Sequence, residues 1–300
     1  MIKNFEALKA RVQNKIKKTV AVVEAGDLHT LEAVLGLQAY SSIKTEWVFI
    51  GNEPKIRELA KEIGLDLSQG SIIATQSEEE AAQMAVSLAK ADKVDVLFKG
   101  KIQTGTLLKA VVNKETGINT GGLMSHLAAI ESPHYDRILY ITDGGMNPHP
   151  DLAQKQQIIH NAVSHLKGLG YEKPAVAVLT AVESVSEKMP ETVDAQSLQM
   201  LNQQGGIADC TVYGPVSFDL AISKESAAIK GVNIPHAGEM DVFVVPDITT
   251  GNVLGKALLY LGKAKMAGCI IGAKTPIILT SRGASAEEKF LSFLLALATV

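Results

Sequence analysis

Residues 277–297 read IILTSRGASAEEKFLSFLLAL, and this stretch carries the pattern on which the fold depends. A short apolar run, Ile277–Leu279, is followed by a polar turn that contains Gly283. A helix is expected directly after the turn, because Ser285 is a favoured N-cap residue and Glu288 stands three positions later. The stretch therefore predicts a buried strand, a loop and a helix in close succession.

The same succession of strand, loop and helix recurs along the chain. Helical spacing is found between the apolar runs, for example over residues 27–40, 54–63, 77–89 and 153–166. Several runs are continuously apolar, which is typical of parallel strands covered on both faces. This alternation indicates an α/β fold with mostly parallel sheets. The expected strands are Val20–Val23, Trp47–Ile50, Val94–Phe98, Ile138–Thr142, Ala175–Leu179, Cys210–Tyr213, Val242–Val245, Cys269–Ile271 and Ile277–Leu279.

Length, charge and composition exclude several classes of protein. The 300 residues suffice for about two domains. A net charge of −3 and an aromatic content of 5% favour neither a nucleic-acid-binding face nor a base-stacking surface. Cys210 and Cys269 form no disulfide framework and suit a reducing cytosol. Residues 1–19 predict a short basic helix rather than a signal peptide, and residues 290–300 are too few to span a bilayer. We therefore expect a cytoplasmic enzyme.

The loop after Ile277–Leu279 is the most informative candidate site. Ligands of open parallel sheets bind beyond the carboxyl ends of strands, where loops lead into helix N-termini. Ser281 and Arg282 stand at that place, and the unpaired N–H groups of the next helix favour an anion there. Arg282 adds a planar guanidinium that matches phosphate oxygens. A surface turn with a solvated arginine is the alternative interpretation, and these residues alone do not decide between the two.

Glu288 has a competing structural interpretation. Ser285 and Glu288 have the spacing of a capping box, in which the carboxylate holds the N-cap amide. A catalytic role for Glu288 must compete with that bond, whereas Glu287 is not so committed. The cations near the expected strand ends are few, which suits a small anionic substrate better than a polymer; besides Arg282 they are Lys99, Lys101, Lys109 and Lys188.

Several familiar nucleotide, metal and nucleophile motifs are missing from the sequence. Gly251–Ala257 is one residue short of a phosphate-binding loop and lacks the hydroxyl that would bind magnesium. A GxGxxG motif after a strand, an HExxH motif and a Gly-x-Ser-x-Gly elbow do not occur. The 7 histidines show no metal-ligand spacing, so no metal site is expected. His126 by itself fits a partly buried structural histidine better than a catalytic one.

From the Ser281-Arg282-Gly283 loop outward, the chain resembles the phosphate acetyl/butyryltransferases, which move an acyl group between coenzyme A and inorganic phosphate. The resemblance is to the phosphate butyryltransferase branch and extends over essentially the whole chain. Seven short motifs occur in the family's order, and their order and spacing make the resemblance specific. They are Lys99-Gly100 with Thr104 and Thr106; Gly122 to His126; Thr142-Asp143 with Asn147 and Pro150; Thr192 to Ala195; Gly214-Pro215 with Asp219, Ala221 and Ile222; Pro246 to Ile248 with Gly251 and Asn252; and Pro276 to Arg282.

The resemblance implies a two-domain α/β fold like that of the isocitrate and isopropylmalate dehydrogenases, with the active site in the cleft between the domains. Residues 1–135 and 283–300 are expected to form a first, discontinuous domain, and residues 136–282 a second. A return of the C-terminal helix to the first domain explains why no Pro/Ser-rich linker separates the halves. Family members self-associate, so a homo-oligomer of at least two chains is expected.

The resemblance also assigns roles to single residues. Ser281 and Arg282 correspond to the family's phosphate-loop serine and arginine. The acetyl-specific members place an aspartate where Glu288 stands, and the butyryl branch places its glutamate at Glu287, so both are candidate bases. The family's cleft arginine falls at Lys109, an implied phosphate-binding residue that keeps the charge but loses the bidentate geometry. The other implied positions are Gly283 in the phosphate site and, lining the coenzyme A cleft, Lys99, Thr104, Ser125, His126, Asp143, Asn147 and Asn252.

The implied reaction is acyl-CoA + phosphate = acyl phosphate + CoA, with coenzyme A and phosphate as substrates and no cofactor. Gly144 replaces a cysteine of the acetyl enzymes, which favours a butyryl or branched four- to five-carbon acyl group. Phosphate acetyltransferase is the first alternative, and a non-catalytic acyl-CoA-binding protein is another. A metal- and NAD-dependent hydroxyacid dehydrogenase of the same fold needs clustered aspartates, whereas Asp143, Asp219 and Asp247 stand on separate loops.

Overall fold

The computed structural model describes residues 2–12, 17–38, 44–280 and 283–300. The strands are β1 (Lys18–Val23), β2 (Thr45–Gly51), β3 (Gly70–Ala74), β4 (Val96–Lys99), β5 (Ser125–Glu131), β6 (Leu139–Thr142), β7 (Ala175–Leu179), β8 (Thr211–Val216), β9 (Val242–Val244), β10 (Lys265–Ile271) and β11 (Ile277–Ile278). The helices are α1 (Phe5–Val12), α2 (Leu28–Gln38), α3 (Glu53–Ile63), α4 (Glu78–Lys90), α5 (Thr104–Val111), α6 (Leu152–Gly168), α7 (Pro190–Gln203), α8 (Phe218–Ile222), α9 (Lys224–Lys230), α10 (Ile248–Tyr260) and α11 (Ala286–Leu297).

The chain divides into two compact units. The first unit comprises Glu6–Gly122 and Ala267–Val300, and the second comprises Met1–Phe5 and Leu123–Met266. Each unit contains strands with helices between them, so the predicted α/β class with mostly parallel pairing is confirmed. The domain boundaries expected at 135/136 and 282/283 stay a prediction.

The strands of the first unit are ordered β3-β2-β1-β4-β11-β10. Neighbours from β3 to β11 run parallel, and β1 pairs with β4 from Val20 opposite Val96 to Val23 opposite Lys99. The pair β10–β11 is antiparallel. Because β1, β4 and β11 are adjacent and parallel, the loops that follow them leave the same edge of the sheet. This common edge positions the candidate site of the first unit.

Aromatic side chains fill the core of the first unit. Phe293 of α11 lies with its ring centroid 4.3 Å from that of Phe98 and 5.4 Å from that of Trp47, both in edge-to-face contact. All three side chains are fully buried. The apolar face of the last helix therefore packs onto strands that lie about two hundred residues earlier in the chain, which fixes the place where α11 begins.

The strands of the second unit are ordered β5-β6-β9-β7-β8. β5 and β6 are antiparallel, whereas β6–β9, β9–β7 and β7–β8 are parallel. An apolar cluster joins the sheet to its helices; it includes Ile141, Ala177, Leu220 and Phe243. Side chains cap the starts of several helices of this unit. For example, Asp151 forms a reciprocal capping box with Gln154, and Asp247 accepts from the Thr250 N–H at 2.8 Å.

Two strands were not expected from the sequence, β3 and β5. β3 is partly exposed along its length, so it shows no continuous apolar run. β5 begins with Ser125 and His126, whose polar side chains obscure the buried run that follows. The predicted strand Ile277–Leu279 was also too long, because only Ile277 and Ile278 pair. None of the helices within the described ranges is both long and apolar enough to traverse a bilayer.

Candidate active site

Residues that follow β1, β4 and β11 line a cavity of about 420 Å³ in the first unit. Asp27 follows β1, Lys99 is the last residue of β4, and Thr280 follows β11. Each of these loops leads into the N-terminus of a helix, which is the place where open parallel sheets bind ligands. The cavity is lined by Asp27, His29, Lys99, Gly100, Lys101, Ile102, Gln103, Thr280 and Lys289.

Lys289 projects from the first turn of α11 and is 7% exposed. Its Nζ donates to Asp27 Oδ2 at 3.2 Å and to Thr30 Oγ1 at 3.3 Å. Burial acts to raise the pKa of the Asp27 carboxyl, but the hydrogen bonds from Thr30 and the charge of Lys289 outweigh it and lower that pKa. An ionised pair between residues 262 positions apart therefore holds the N-terminus of α11 against α2.

The Lys99-Gly100 loop is held by backbone hydrogen bonds to the end of β1. The Gly100 N–H donates to the Val23 carbonyl and the Lys101 N–H to the Glu24 carbonyl, each at 2.8 Å. A Cβ at position 100 would lie 2.2 Å from the Glu24 oxygen, so only glycine fits this close approach. Lys99 itself is 8% exposed, and its Nζ donates to the Gly100 carbonyl at 3.3 Å. The loop thus fixes a buried ammonium at the wall of the cavity.

Glu288 lies one residue before Lys289 and is half-buried. Burial raises the pKa of its carboxyl, and the neighbouring Lys289 charge opposes that shift only in part. The Ser285 hydroxyl accepts from the Glu288 N–H at 3.1 Å, which confirms Ser285 as the N-cap of α11. Among the described residues, the Glu288 carboxylate does not accept a hydrogen bond from the Ser285 N–H. The capping box that would compete with a catalytic role for Glu288 is therefore not formed.

The other predicted residues of this unit lie in more open surroundings. Glu287 and Gly283 are exposed, and a Cβ at position 283 would meet no atom within 4 Å. Thr104 begins α5 and Lys109 lies in its last turn, both exposed. The cavity lining does not include any of these four side chains.

Ser281 and Arg282, the predicted oxyanion donor and phosphate ligand, lie outside the described residues, and their roles stay predictions. Thr280, the residue directly before them in sequence, is buried and lines the cavity.

In the second unit, Asp143 is the centre of a dense hydrogen-bond cluster. Its carboxylate accepts from the backbone N–H groups of His126 (3.1 Å), Gly145 (2.9 Å), Met146 (2.8 Å) and Asn147 (3.3 Å). The Asn147 side-chain amide donates to the same carboxylate at 2.6 Å and to the Met124 carbonyl at 2.8 Å. Five donors on one buried carboxylate show that Asp143 shapes the loop after β6 by holding its backbone.

His126 stands beside this cluster with a buried Nδ1 that has no hydrogen-bond partner within the described structure. Burial lowers the pKa of the imidazole, and the Asp143 charge opposes the shift without cancelling it. A Cβ at Gly145 would lie 2.8 Å from His126 Cγ, so the glycine allows the ring to approach the loop. The lowered pKa favours the neutral form of the His126 ring beside the Asp143 loop.

Two further predicted residues flank the Asp143 loop. Ser125 is fully buried, and its hydroxyl accepts from the Asn161 amide at 3.1 Å. Asn252 is exposed, and its amide donates to the Gly144 carbonyl at 3.4 Å. A Cβ on Gly144 would lie 2.8 Å from the backbone of Gly251, so no side chain fits where these two glycines meet.

The predicted site residues therefore form two groups, one in each unit. In the first unit, Lys99 lines the cavity with Lys289. In the second unit, His126, Asn147 and Asn252 surround the loop that Asp143 shapes. The sequence analysis missed Asp27, Lys289 and Asn161, since each looks like an ordinary helix residue. Lys289 could have been recognised from the sequence, because it is a lysine inside an otherwise apolar helical stretch.

Comparisons with known proteins agree on one family. A family model described as phosphate acetyl/butaryl transferase matches residues 72–297. The chain is 39% identical to the phosphate butyryltransferase of Clostridium acetobutylicum over 296 residues, which cover 99% of this chain and 98% of that protein. It is 40% identical to the phosphate acetyltransferase of Thermotoga maritima, with coverages of 97% and 98%. The crystal structure of a branched-chain phosphotransacylase from Enterococcus faecalis superposes with a TM-score of 0.83 at 31% identity, covering 94% of this chain and 98% of that one.

Proposed function

Because this chain belongs to the phosphate acetyl/butaryl transferase family, we propose that it transfers a four- or five-carbon acyl group between coenzyme A and inorganic phosphate. The chain is an enzyme of the transferase class, and coenzyme A and phosphate are its substrates. The reaction is acyl-CoA + phosphate = acyl phosphate + CoA. Self-association and a cytoplasmic location belong to this proposal as expectations.

The observation that carries the proposal is the Glu288 carboxylate at the start of α11. It is half-buried, its pKa is raised, and the next residue lines a cavity whose lysines suit anionic substrates. An acyl transfer to or from a thiol needs a proton acceptor close to an anion site, and the position of Glu288 beside the lysine-lined cavity supports that assignment. The exposed Glu287 lacks the burial that would raise the proton affinity of its carboxylate.

The chemistry can be followed in the direction of acyl-CoA formation. The coenzyme A thiol gives its proton to Glu288, and the sulfur attacks the carbonyl carbon of the acyl phosphate. With ordinary pKa values of about 8.5 for a thiol and about 4.3 for a glutamate, the proton transfer is uphill by roughly 5–6 kcal/mol. Burial of Glu288 raises the pKa of its carboxyl and so lowers the free-energy cost of the proton transfer. Coupling of the proton transfer to the attack of the sulfur offsets the remaining cost.

The tetrahedral intermediate carries an oxyanion, which collapses to release inorganic phosphate. We assign Ser281 to donate a hydrogen bond to this oxyanion, a contribution of about 3 kcal/mol if the donor is preorganised. Arg282, with the N–H groups at the start of α11, is assigned to hold the phosphoryl group. The mechanism needs no covalent enzyme intermediate. Most of the remaining acceleration is attributed to holding the two reactants side by side.

The acyl group is the part of the proposal that depends most on this chain's own residues. The butyryl-named and acetyl-named relatives are equally similar in sequence, at 39% and 40% identity, so identity does not decide the chain length. The branched-chain phosphotransacylase neighbour supports a longer acyl group. Gly144 supports it as well, because the resemblance places a cysteine of the acetyl enzymes at this position.

The test is phosphate-dependent release of free thiol from a series of acyl-CoA substrates, from acetyl to hexanoyl and including isobutyryl and isovaleryl. The proposal predicts the highest kcat/KM for a four- or five-carbon acyl group. A maximum at acetyl would reassign the chain as a phosphate acetyltransferase. Binding of acyl-CoA without any thiol release would identify a non-catalytic binding protein.

A further inference from the structure

A second cavity of the first unit, here called the amino-edge cavity, lies where β1 and β2 begin. Lys17 directly precedes β1 and Thr45 is the first residue of β2, whereas the candidate active site lies beyond the other ends of the strands. With a rise of about 3.3 Å per residue, the 6 residues of β1 separate the two cavities by roughly 20 Å. The described lining consists of Lys17, Leu37, Gln38, Lys44, Thr45, Trp47 and Gln69.

The charged side chains in this described lining are both positive. They are Lys17 and Lys44, and none of the other lining residues is acidic. Lys17 is paired with Glu46, at 2.9 Å between Nζ and Oε2. Lys44 is exposed, and its ammonium makes no hydrogen bond or ion pair with any residue that the structure describes. Lys44 is therefore available to bind an anion in the cavity.

Thr45 contributes a hydroxyl that lacks a hydrogen bond. The residue is 8% exposed, and its Oγ1 has no partner among the described residues. Buried polar groups are nearly always hydrogen-bonded, so an unpaired one at the wall of a cavity points to a ligand that completes the bond. A carboxylate accepts hydrogen bonds from hydroxyl and ammonium groups alike, and Thr45 and Lys44 line the same cavity.

The base and the size of the cavity limit the rest of the ligand. Leu37 and Trp47 close the base, each 1% exposed, so this end is apolar. The volume of about 320 Å³ corresponds to about ten non-hydrogen atoms at roughly 30 Å³ each. Inorganic phosphate, with five such atoms, would fill only half of it. A carboxylate with a short hydrocarbon tail matches both the polar rim and the apolar base.

We propose that the amino-edge cavity binds a small organic monocarboxylate. The Lys44 ammonium and the Thr45 hydroxyl hold the carboxylate, and the hydrocarbon tail lies toward Leu37 and Trp47. The assignment goes beyond the proposed function and does not depend on it, because none of these residues belongs to the candidate active site.

Trp47 provides a direct readout of binding, because it is the only tryptophan of the chain. Its emission is followed while butyrate, isovalerate or hexanoate is added at fixed ionic strength, and calorimetry gives the Kd independently. The corresponding neutral amides are the control ligands. We expect saturable binding of the carboxylates and none of the amides, with the same Kd when coenzyme A is present at saturation.

Two variants of the full chain locate the ligand. Lys44→Met keeps the aliphatic stem and removes the charge, and the Kd should rise about tenfold. Thr45→Val keeps the shape and removes the hydroxyl, and the Kd should rise severalfold. Urea unfolding of the unliganded Thr45→Val chain should show no loss of stability, since an unpaired buried hydroxyl is removed. Lys61→Met, at an exposed position of α3, is the matched control and should bind as the unmodified chain does.

Three results would overturn the proposal. The first is equal binding of carboxylates and amides, or no binding of either by calorimetry. The second is an unchanged Kd in both Lys44→Met and Thr45→Val. The third is loss of carboxylate binding when coenzyme A is present, which would place the ligand in the candidate active site. Tighter binding of inorganic phosphate than of every carboxylate would likewise exclude a monocarboxylate site.

Discussion

Glu287 and Glu288 are neighbours in sequence but occupy different environments. Glu287 is exposed, whereas Glu288 is half-buried beside the buried ammonium of Lys289. A general base for a thiol benefits from a raised pKa, and burial raises that of Glu288. The difference arises because the N-terminal turn of α11 directs one carboxylate outward and lets the next be partly covered.

Glu288→Gln is expected to lower kcat about 10²- to 10⁴-fold, the usual contribution of a general base. The free energy of unfolding should change little, because the bond from the position 288 N–H to the Ser285 hydroxyl is retained. Glu287→Gln is the matched control and should keep most of its activity. Steady-state rates and urea unfolding of both variants provide the measurement. Normal turnover in Glu288→Gln with a loss in Glu287→Gln would exchange the two roles.

Arg282→Gln is expected to raise the KM for phosphate far more than the KM for acyl-CoA. The reason is that glutamine keeps a polar side chain but loses the charged, bidentate guanidinium. The two KM values are measured with one substrate varied and the other saturating. A rise of equal size in both would exclude a specific phosphate role for Arg282.

At the scale of elements, loops after adjacent parallel strands build the cavity of the first unit. The runs of β1, β4 and β11 could be predicted because buried parallel strands are continuously apolar. β3 could not, since an alternating, half-exposed strand resembles a loop in sequence. The antiparallel pairing of β5 with β6 and of β10 with β11 could not be predicted either. The direction of pairing depends on which strands become neighbours, and the local sequence pattern does not identify the neighbour.

Gly100→Ala is expected to destabilise the chain by about 1–3 kcal/mol, the usual cost of overpacking. The added Cβ would meet the carbonyl oxygens of Glu24 and Val23, at 2.2 and 2.8 Å, and these belong to backbone that cannot move aside freely. Gly105→Ala on α5 is the control, because a Cβ there meets no atom within 4 Å and alanine favours a helix. Urea unfolding compares the two. Equal stability of both variants would contradict the prediction and would show that the Lys99-Gly100 loop shifts to accommodate the added methyl group.

At the scale of the whole molecule, buried neutral histidines link folding to pH. His165 of α6 is 8% exposed, and its Nε2 has no hydrogen-bond partner within the described part of the chain. Burial lowers its pKa from 6.5 to about 4. As the pH falls, His165 of the unfolded chain is protonated near pH 6.5. In the folded chain the same ring stays neutral until about pH 4. The part of the folding stability that depends on a neutral His165 is therefore fully present above pH 6.5. It is lost as the pH falls from 6.5 to about 4.

His165→Leu is accordingly expected to flatten the decline of stability with falling pH. Between pH 6.5 and 4, the free energy of unfolding should fall by about 3 kcal/mol less than in the unmodified chain. His134→Gln, at an exposed position, should leave the decline unchanged. Denaturant unfolding at a series of pH values measures the slopes. Parallel slopes for His165→Leu and the unmodified chain would refute the assignment.

The sequence by itself determined the α/β class, most of the strands, the N-cap of α11 and the resemblance to the transferase family. These depend on residues close together in the chain, such as Ser285 and Glu288, or on ordered short motifs. Only the tertiary structure decided that Glu288 is partly buried, that Lys99 and Lys289 line one cavity, and that Asp143 holds five donors. The bond between Lys289 and Asp27 spans 262 positions. No local pattern encodes it, because burial and charge pairing arise only when distant strands become neighbours.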